Sequence, residues 1–129
     1  MNLLKKYTPL IEELKTLSSI QTIILFGSYA KNTQKPLSDL DICIITKINS
    51  THQEQREILS YGNDELDISL FHTLPLSLQY KILHEGKILY TTKDISILKI
   101  KKTNQWFDFR HGLNKLYRSR GYRGIELEE

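Results

Sequence analysis

The chain is poor in cysteine and has no long apolar run. Cys43 is its single cysteine, so an internal disulfide is excluded. No stretch of about 18 consecutive apolar residues is present, which argues against an ordinary transmembrane helix. The N-terminal residues MNLLKK lack the apolar core of a signal peptide. We therefore expect a cytoplasmic protein without a membrane partner.

The chain also lacks a histidine pattern for metal binding and lacks repetitive sequence. The four histidines do not fall at the separations that let histidines share a metal ion. No internal repeat and no low-complexity tract is present, which argues against a solenoid and against a long disordered segment. A site for a cation would have to be built from carboxylates.

The length of the chain and the distribution of its charges indicate how its domains are organised. At 129 residues the sequence predicts one domain over residues 1–129, with a basic helical segment at about 94–124. Residues 99–124 carry eight basic side chains and one acidic, whereas residues 1–98 carry ten basic and eleven acidic. Such a segment is usually a solvated helix surface, although it can attract nucleic acid or an acidic protein. So small a domain leaves little protein to recognise a second molecule, which favours a docked partner or a homo-oligomer.

The most informative stretch begins where an apolar strand ends in Gly27 and Ser28. Thr22–Phe26 is the predicted strand, and a glycine at its end allows a positive φ or a close approach to a ligand. Ser28 is predicted to begin a short helix. The first amide protons of a helix lack partners within the helix and lie at its positive end, so they favour phosphate. The pattern predicts a turn that grips the phosphates of a nucleotide.

Two aspartates open the next predicted strand, Asp39–Thr46. Residues two apart on a strand share a face, so Asp39 and Asp41 point outward together while Leu40 points into the core. Neighbouring carboxylates suit a hard divalent cation. Magnesium keeps several waters and takes further ligands from substrate phosphates. The pair therefore predicts a magnesium site that is completed by a nucleoside triphosphate.

A third carboxylate, Asp67, lies on a later predicted strand. Leu66, Ile68 and Leu70 alternate with it and are expected to face the core. A neighbouring strand could set Asp67 beside the aspartate pair, and three carboxylates could then hold two ions roughly 3.5–4 Å apart. One ion would activate an attacking hydroxyl and the other would stabilise the leaving pyrophosphate. Asp67 is also the candidate base.

The remaining patterns predict an α/β fold with a small mixed sheet, helices on one face and the acidic site on the other. Either Ser50 with Gln53 or Thr51 with Glu54 forms a capping box for a polar helix. The predicted helices cover residues 3–17, 52–59, 74–85 and 94–124, and the predicted strands cover residues 22–26, 39–46, 65–71 and 87–91.

These motifs carry a family resemblance. Gly27 and Ser28, ten intervening residues, and then Asp39-Leu40-Asp41 resemble the signature of the DNA polymerase β-like nucleotidyltransferases. The chain looks most like their minimal nucleotidyltransferase (MNT) branch. The resemblance implies a polymerase β-like fold in which the Gly-Ser turn holds the nucleotide phosphates, both aspartates bind magnesium, and Asp67 matches the third carboxylate.

The resemblance spans roughly residues 20–91 and departs from the family pattern after the turn. The family often has Arg-Gly where this chain has Lys31 and Asn32. Lys31 keeps a cation for phosphate but loses the bidentate fork of arginine. Asn32 tolerates left-handed backbone geometry better than most residues.

Family members of this size commonly pair with HEPN-domain proteins as toxin–antitoxin modules. Some resemble this chain while transferring AMP to a tyrosine of the HEPN toxin, so the resemblance implies an antitoxin. HEPN ribonucleases have an arginine, four residues and then a histidine. Here the positions five after Arg56 and Arg110 are Tyr61 and Lys115, so this chain is not the toxin half.

We interpret the sequence as a magnesium-dependent nucleotidyltransferase that transfers a nucleoside monophosphate to a hydroxyl acceptor. The resemblance favours ATP as the donor and a tyrosine of a HEPN toxin as the acceptor. Three alternatives stay open: an antitoxin that blocks its ribonuclease by docking without catalysis, a transferase acting on a small molecule such as an aminoglycoside, and a nucleic-acid binder acting through residues 99–124.

Overall fold

In the part of the chain that the structure describes, four strands form a mixed sheet. This computed structural model describes residues 3–35 and 38–121, which fall into two compact units, one ending at Asp94 and the other beginning at Ile95. The strands are β1 (Ile20–Phe26), β2 (Leu40–Thr46), β3 (Leu66–Leu70) and β4 (Lys87–Thr91). Their order is β3-β2-β1-β4; β1 runs antiparallel to β2 and β4, and β2 runs parallel to β3. The predicted small mixed sheet is confirmed.

Apolar alternation fixes which face of the sheet enters the core. Three pairs lie side by side on β2 and β3: Leu40 with Leu66, Ile42 with Ile68 and Ile44 with Leu70. All six side chains are buried, as the alternation predicts. A slip of one residue would send each of them to the opposite face, so their burial strongly favours this register. The same register decides where the aspartates between them lie.

The N-terminal helix is divided, which corrects the prediction of one helix over residues 3–17. The structure has α1 (Leu3–Lys6) and α2 (Thr8–Leu14), with Pro9 in the first turn of α2. Proline has no N–H and clashes with the preceding turn inside a helix, but it fits a first turn. Ile11 and Leu14 of α2 are buried against the apolar face of the sheet.

The predicted polar helix is confirmed as α3 (His52–Leu59). Of the two possible capping boxes, the structure forms the one between Thr51 and Glu54. The Thr51 hydroxyl accepts from the Glu54 amide at 3.1 Å, and the Glu54 carboxylate accepts from the Thr51 amide at 2.9 Å. Ile58, the buried residue of α3, joins the same core.

A fourth helix, α4 (Leu76–Glu85), follows Pro75 and ends before Gly86, as predicted. It approaches β1 at Ile24, because a side chain at Gly86 would collide with Ile24. Ile24 has the opposite strand parity to the core residues Ile23 and Leu25 of β1. The core on the face of those two residues includes side chains from α2 and α3. Helices therefore contact both faces, which corrects the prediction of helices on one face alone. The α4 helix reaches the face that carries Asp41.

The second unit contains α5 (Ser96–Ser119), in the predicted basic segment. The large apolar side chains of α5 are only partly covered, since Phe109 is 54% and Leu116 is 45% exposed. Arg110 is buried, and its guanidinium lies 5.5 Å from the centre of the Trp106 ring. Residues 122–124 of the predicted segment lie outside the described residues. Within the described part of the chain, no helix is long and apolar enough to cross a membrane.

Candidate active site

The turn after β1 and the second aspartate of β2 meet at Gly27. Gly27 has a φ of 75°, which is left-handed geometry that glycine adopts without strain. A Cβ placed at Gly27 would collide with the Asp41 carboxyl oxygen and would lie 3.2 Å from its Cγ. Glycine is therefore required at this position for its conformation and for its lack of a side chain. The predicted positive φ is confirmed, and the backbone of the turn borders a carboxylate.

The sheet register brings Asp67 beside Asp41. The two residues are direct partners in the parallel pairing of β2 with β3, on the face opposite to the apolar core. Asp39 lies just before β2, two residues from Asp41, and is exposed. The first predicted carboxylate thus lies two residues before the second along the chain, and the third lies beside the second on the neighbouring strand.

Negative charge accumulates at Asp41. Burial, followed by the neighbouring charges of Asp67 and Asp39, raises the pKa of the Asp41 carboxyl from 3.8 to about 6. A divalent cation would relieve this repulsion, so the charge pattern fits a cation. Within residues 3–35 and 38–121, no three His, Cys, Asp or Glu side chains form a group that could hold a metal ion by themselves. Magnesium fits such an open donor set because it takes its remaining ligands from phosphates and water.

The turn after Gly27 is shorter than predicted. It is a single 3₁₀ turn over Gly27–Tyr29, continued by hydrogen bonds from the Lys31 amide to the Gly27 carbonyl at 3.2 Å and from the Thr33 amide to the Ser28 carbonyl at 2.9 Å. So short a turn has little macrodipole, and the argument from a helix N-terminus is wrong in that respect. Asn32 adopts a φ of 60°, in keeping with its tolerance of left-handed geometry.

A pocket of about 390 Å³ opens beside the turn. This volume falls within the range of small-ligand sites. One wall comes from the end of β1 and the turn, including Gly27, Ser28 and Lys31, and the other comes from α4. The α4 residues, which the sequence did not single out, are Leu78, Lys81, Ile82 and Glu85. Sequence spacing held no signal for them, because only the packing of α4 brings them to the turn.

Two of the pocket residues form an ion pair. Lys31 Nζ lies 3.3 Å from Glu85 Oε2, with both side chains nearly half exposed. Lys31 is thus at the pocket, as a phosphate-binding residue must be, and it already has a carboxylate partner. The roles predicted for Gly27, Ser28, Lys31 and the three aspartates stay predictions. Gly27, Ser28 and Lys31 line the pocket, while Asp41 borders Gly27 and pairs in register with Asp67.

Replacing Asp41 by asparagine is expected to stabilise the metal-free protein at neutral pH. A folded-state pKa above the ordinary value means that the ionised carboxyl destabilises the fold; the penalty is full above about pH 6 and absent below about pH 4. After discounting for solvent screening of a half-exposed group, Asp41→Asn should raise the free energy of unfolding by about 1 kcal/mol at pH 8. Urea unfolding with EDTA at pH 8 and pH 4 tests this. If Asp41→Asn changed the free energy of unfolding equally at pH 8 and pH 4, the prediction would be contradicted.

Sequence comparison gives a family match. Residues 9–95, more than half of the chain, match the family described as polymerase beta, nucleotidyltransferase. A provisionally named protein adenylyltransferase of Methanocaldococcus jannaschii is 35% identical over 74 residues, which are 57% of this chain and 58% of the relative. The match therefore spans less than two thirds of that relative's length.

Solved structures share the fold. A chain of a toxin–antitoxin complex with AMP-PNP superposes with a TM-score of 0.67 at 21% identity, covering 85% of this chain and 94% of the other. A chain from the complex of a tri-AMPylated Shewanella oneidensis HEPN toxin with an MNT antitoxin gives a TM-score of 0.62 at 17% identity, covering 92% and 98%. At these identities the likeness establishes the fold.

Proposed function

This chain belongs to the polymerase beta nucleotidyltransferase family, and we propose that it is a magnesium-dependent enzyme that transfers AMP from ATP to a hydroxyl group. One observation carries the proposal: the backbone at Gly27 borders the Asp41 carboxyl, which pairs in register with Asp67. A turn that lines a pocket together with Lys31 thereby adjoins carboxylates suited to the cation that accompanies a nucleotide's phosphates.

The residues have distinct roles in this reaction. Asp39 and Asp41 would hold magnesium, with Asp67 as a further ligand or as the base for the acceptor. Magnesium, when bound, neutralises the charge of the phosphates and orients the attacking and leaving oxygens. The acceptor oxygen bonds to the α-phosphorus while the bond from that phosphorus to the bridging oxygen breaks, and pyrophosphate leaves. The hydroxyl proton passes to a base, for which Asp67 is the candidate.

The proposed acceptor is a tyrosine of a HEPN-domain toxin, which makes this chain an antitoxin. Support comes from the relative named for protein adenylyl transfer and from the fold neighbour whose complex holds an AMPylated toxin. The second unit adds a feature of this chain. Ile97 is 81% and Ile100 is 61% exposed on α5. Exposed apolar side chains close together are typical of protein–protein contacts.

Label transfer tests the proposed function. The protein, magnesium and α-³²P-labelled ATP are incubated with a HEPN protein encoded beside it. We expect label on the partner, no label with γ-³²P-ATP, and loss of label when the partner's acceptor tyrosine is replaced by phenylalanine. If Asp39→Ala/Asp41→Ala protein transfers no label but still inhibits the partner's ribonuclease, inhibition is by docking. If the wild type also transfers none, the enzymatic proposal fails.

A further inference from the structure

The pocket beside Gly27 has a lysine on each of its two walls. Lys31 follows the 3₁₀ turn, and Lys81 lies on α4. Glu85 is one helical turn beyond Lys81 and also lines the pocket. Its carboxylate is the partner of Lys31. The carboxylate of Glu85 on α4 therefore already pairs with Lys31, the lysine that is proposed to bind the phosphates.

The pair between Lys31 and Glu85 is a weak one. Its side chains are 45% and 46% exposed, and exposed ion pairs contribute little to stability. Glu85 is also the last residue of α4, where the partial negative charge of the helix end disfavours a carboxylate. A triphosphate carries several negative charges and attracts a lysine more strongly than one carboxylate does. Glu85 is thus a partner that a phosphate can displace.

The position of Gly27 indicates which phosphates reach the pair. Gly27 borders Asp41 on one side and lines the pocket on the other. The α-phosphate, which is attacked, belongs beside the carboxylates. The β- and γ-phosphates of a nucleotide bound in this way would then extend into the pocket, which Lys31 and Lys81 line.

We propose that Glu85 competes with the leaving pyrophosphate for Lys31, and that Lys81 is a second cation for the same two phosphates. Glu85 thereby lowers the affinity of the site for any ligand too weakly charged to displace it. This inference rests on the proposed function, since it concerns the triphosphate of that reaction, and it adds two α4 residues that determine how tightly the donor binds.

Removing the competing carboxylate should tighten binding. We expect Glu85→Gln to lower the Kd for magnesium–AMP-PNP about threefold, measured by calorimetry at constant ionic strength. Glu12→Gln is the matched control, because it makes the same change of charge by breaking the exposed pair between Glu12 and Lys15, outside the pocket. In a Lys31→Met background, Glu85→Gln should change the Kd less than in the wild type.

Removing the charge of Lys81 should weaken the binding only of ligands that carry the terminal phosphates. We expect Lys81→Met to raise the Kd for AMP-PNP and for inorganic pyrophosphate about fivefold, and to leave the Kd for AMP unchanged. Lys87→Met is the matched control, since Lys87 is exposed on β4 and does not line the pocket. If Lys81→Met weakened the binding of AMP equally, or if Lys87→Met raised the Kd for AMP-PNP equally, the role of Lys81 would be overturned.

The outcomes separate this inference from the proposed function. If the wild type binds magnesium–AMP-PNP but Glu85→Gln does not tighten it, or tightens it no more than Glu12→Gln, the competition is wrong and the proposed function stands. If Glu85→Gln lowers the Kd as much in the Lys31→Met background as in the wild type, Glu85 does not compete for Lys31 and the inference is also wrong. If the wild type binds no triphosphate, both proposals fall.

Discussion

Asp39→Asn/Asp41→Asn protein is expected to lose nucleotidyl transfer by about 10³-fold or more in kcat while keeping its fold. Both side chains lie outside the apolar core, and the ionised Asp41 is destabilised by burial and then by the neighbouring charges, so neutral amides should not destabilise the fold. The same amides are poor magnesium ligands beside a triphosphate, and loss of the cation removes several kcal/mol of stabilisation from the transition state. Single-turnover transfer at saturating ATP and magnesium measures the loss.

Asp64→Asn is the matched control for this pair. Asp64 is exposed in the loop before β3, so its replacement changes charge near the sheet without touching the proposed ligands. We expect transfer within about twofold of the wild type. Circular dichroism and Tm should show that the double variant is folded. If the double variant is folded and keeps a kcat near that of the wild type, Asp39 and Asp41 are not the magnesium ligands.

The second large effect is expected at Gly27. Gly27→Ala introduces a Cβ that must meet the Asp41 carboxyl, at a φ of 75° that L-residues rarely adopt. Strain of the backbone and displacement of Asp41 should together lower the free energy of unfolding by about 2–3 kcal/mol. Because the turn and the carboxylate move apart, binding of magnesium–AMP-PNP should be lost at concentrations that saturate the wild type.

Gly112→Ala controls for the substitution itself. Gly112 lies inside α5, and a Cβ there would have no neighbour within 4 Å. Alanine is the better helix former by about 1 kcal/mol, so this variant should be as stable as the wild type or more so, with unchanged nucleotide binding. Urea unfolding and calorimetry on both variants test the contrast. If Gly27→Ala bound nucleotide as Gly112→Ala does, the close approach at Gly27 would have no role in binding.

Local rules predicted much of the fold and the centre of the site. Strand β4 and helix α4 have the predicted bounds within a residue or two, because glycine, proline and alternating apolar residues mark them directly. Parity predicted that Asp41 and Asp67 share a face: once Leu40 and Leu66 enter one core, the residues after them face the other way. That their strands are neighbours, with the two aspartates in register, was only a possibility until the structure was known. The fold expected from the motif is confirmed by the family match and by the fold neighbours.

Sequence patterns could not predict features that depend on distant packing. The break at Tyr7 was missed because residues on both sides keep a helical apolar spacing, and only the position of Pro9 marks a new start. The α4 wall of the pocket was missed because Lys81 and Glu85 lie more than 50 residues from Gly27 in sequence. Nothing in local spacing says which face of the sheet a helix will cover.

A crystal structure with manganese and AMP-PNP tests the central claim most directly. Manganese accepts the same oxygen ligands as magnesium and is located by its anomalous signal. The account predicts manganese bound to Asp39 and Asp41 and to phosphate oxygens of the nucleotide, with the phosphates against the backbone of Gly27 and Ser28. Manganese bound elsewhere, or a nucleotide whose phosphates lie away from the turn after β1, would contradict it.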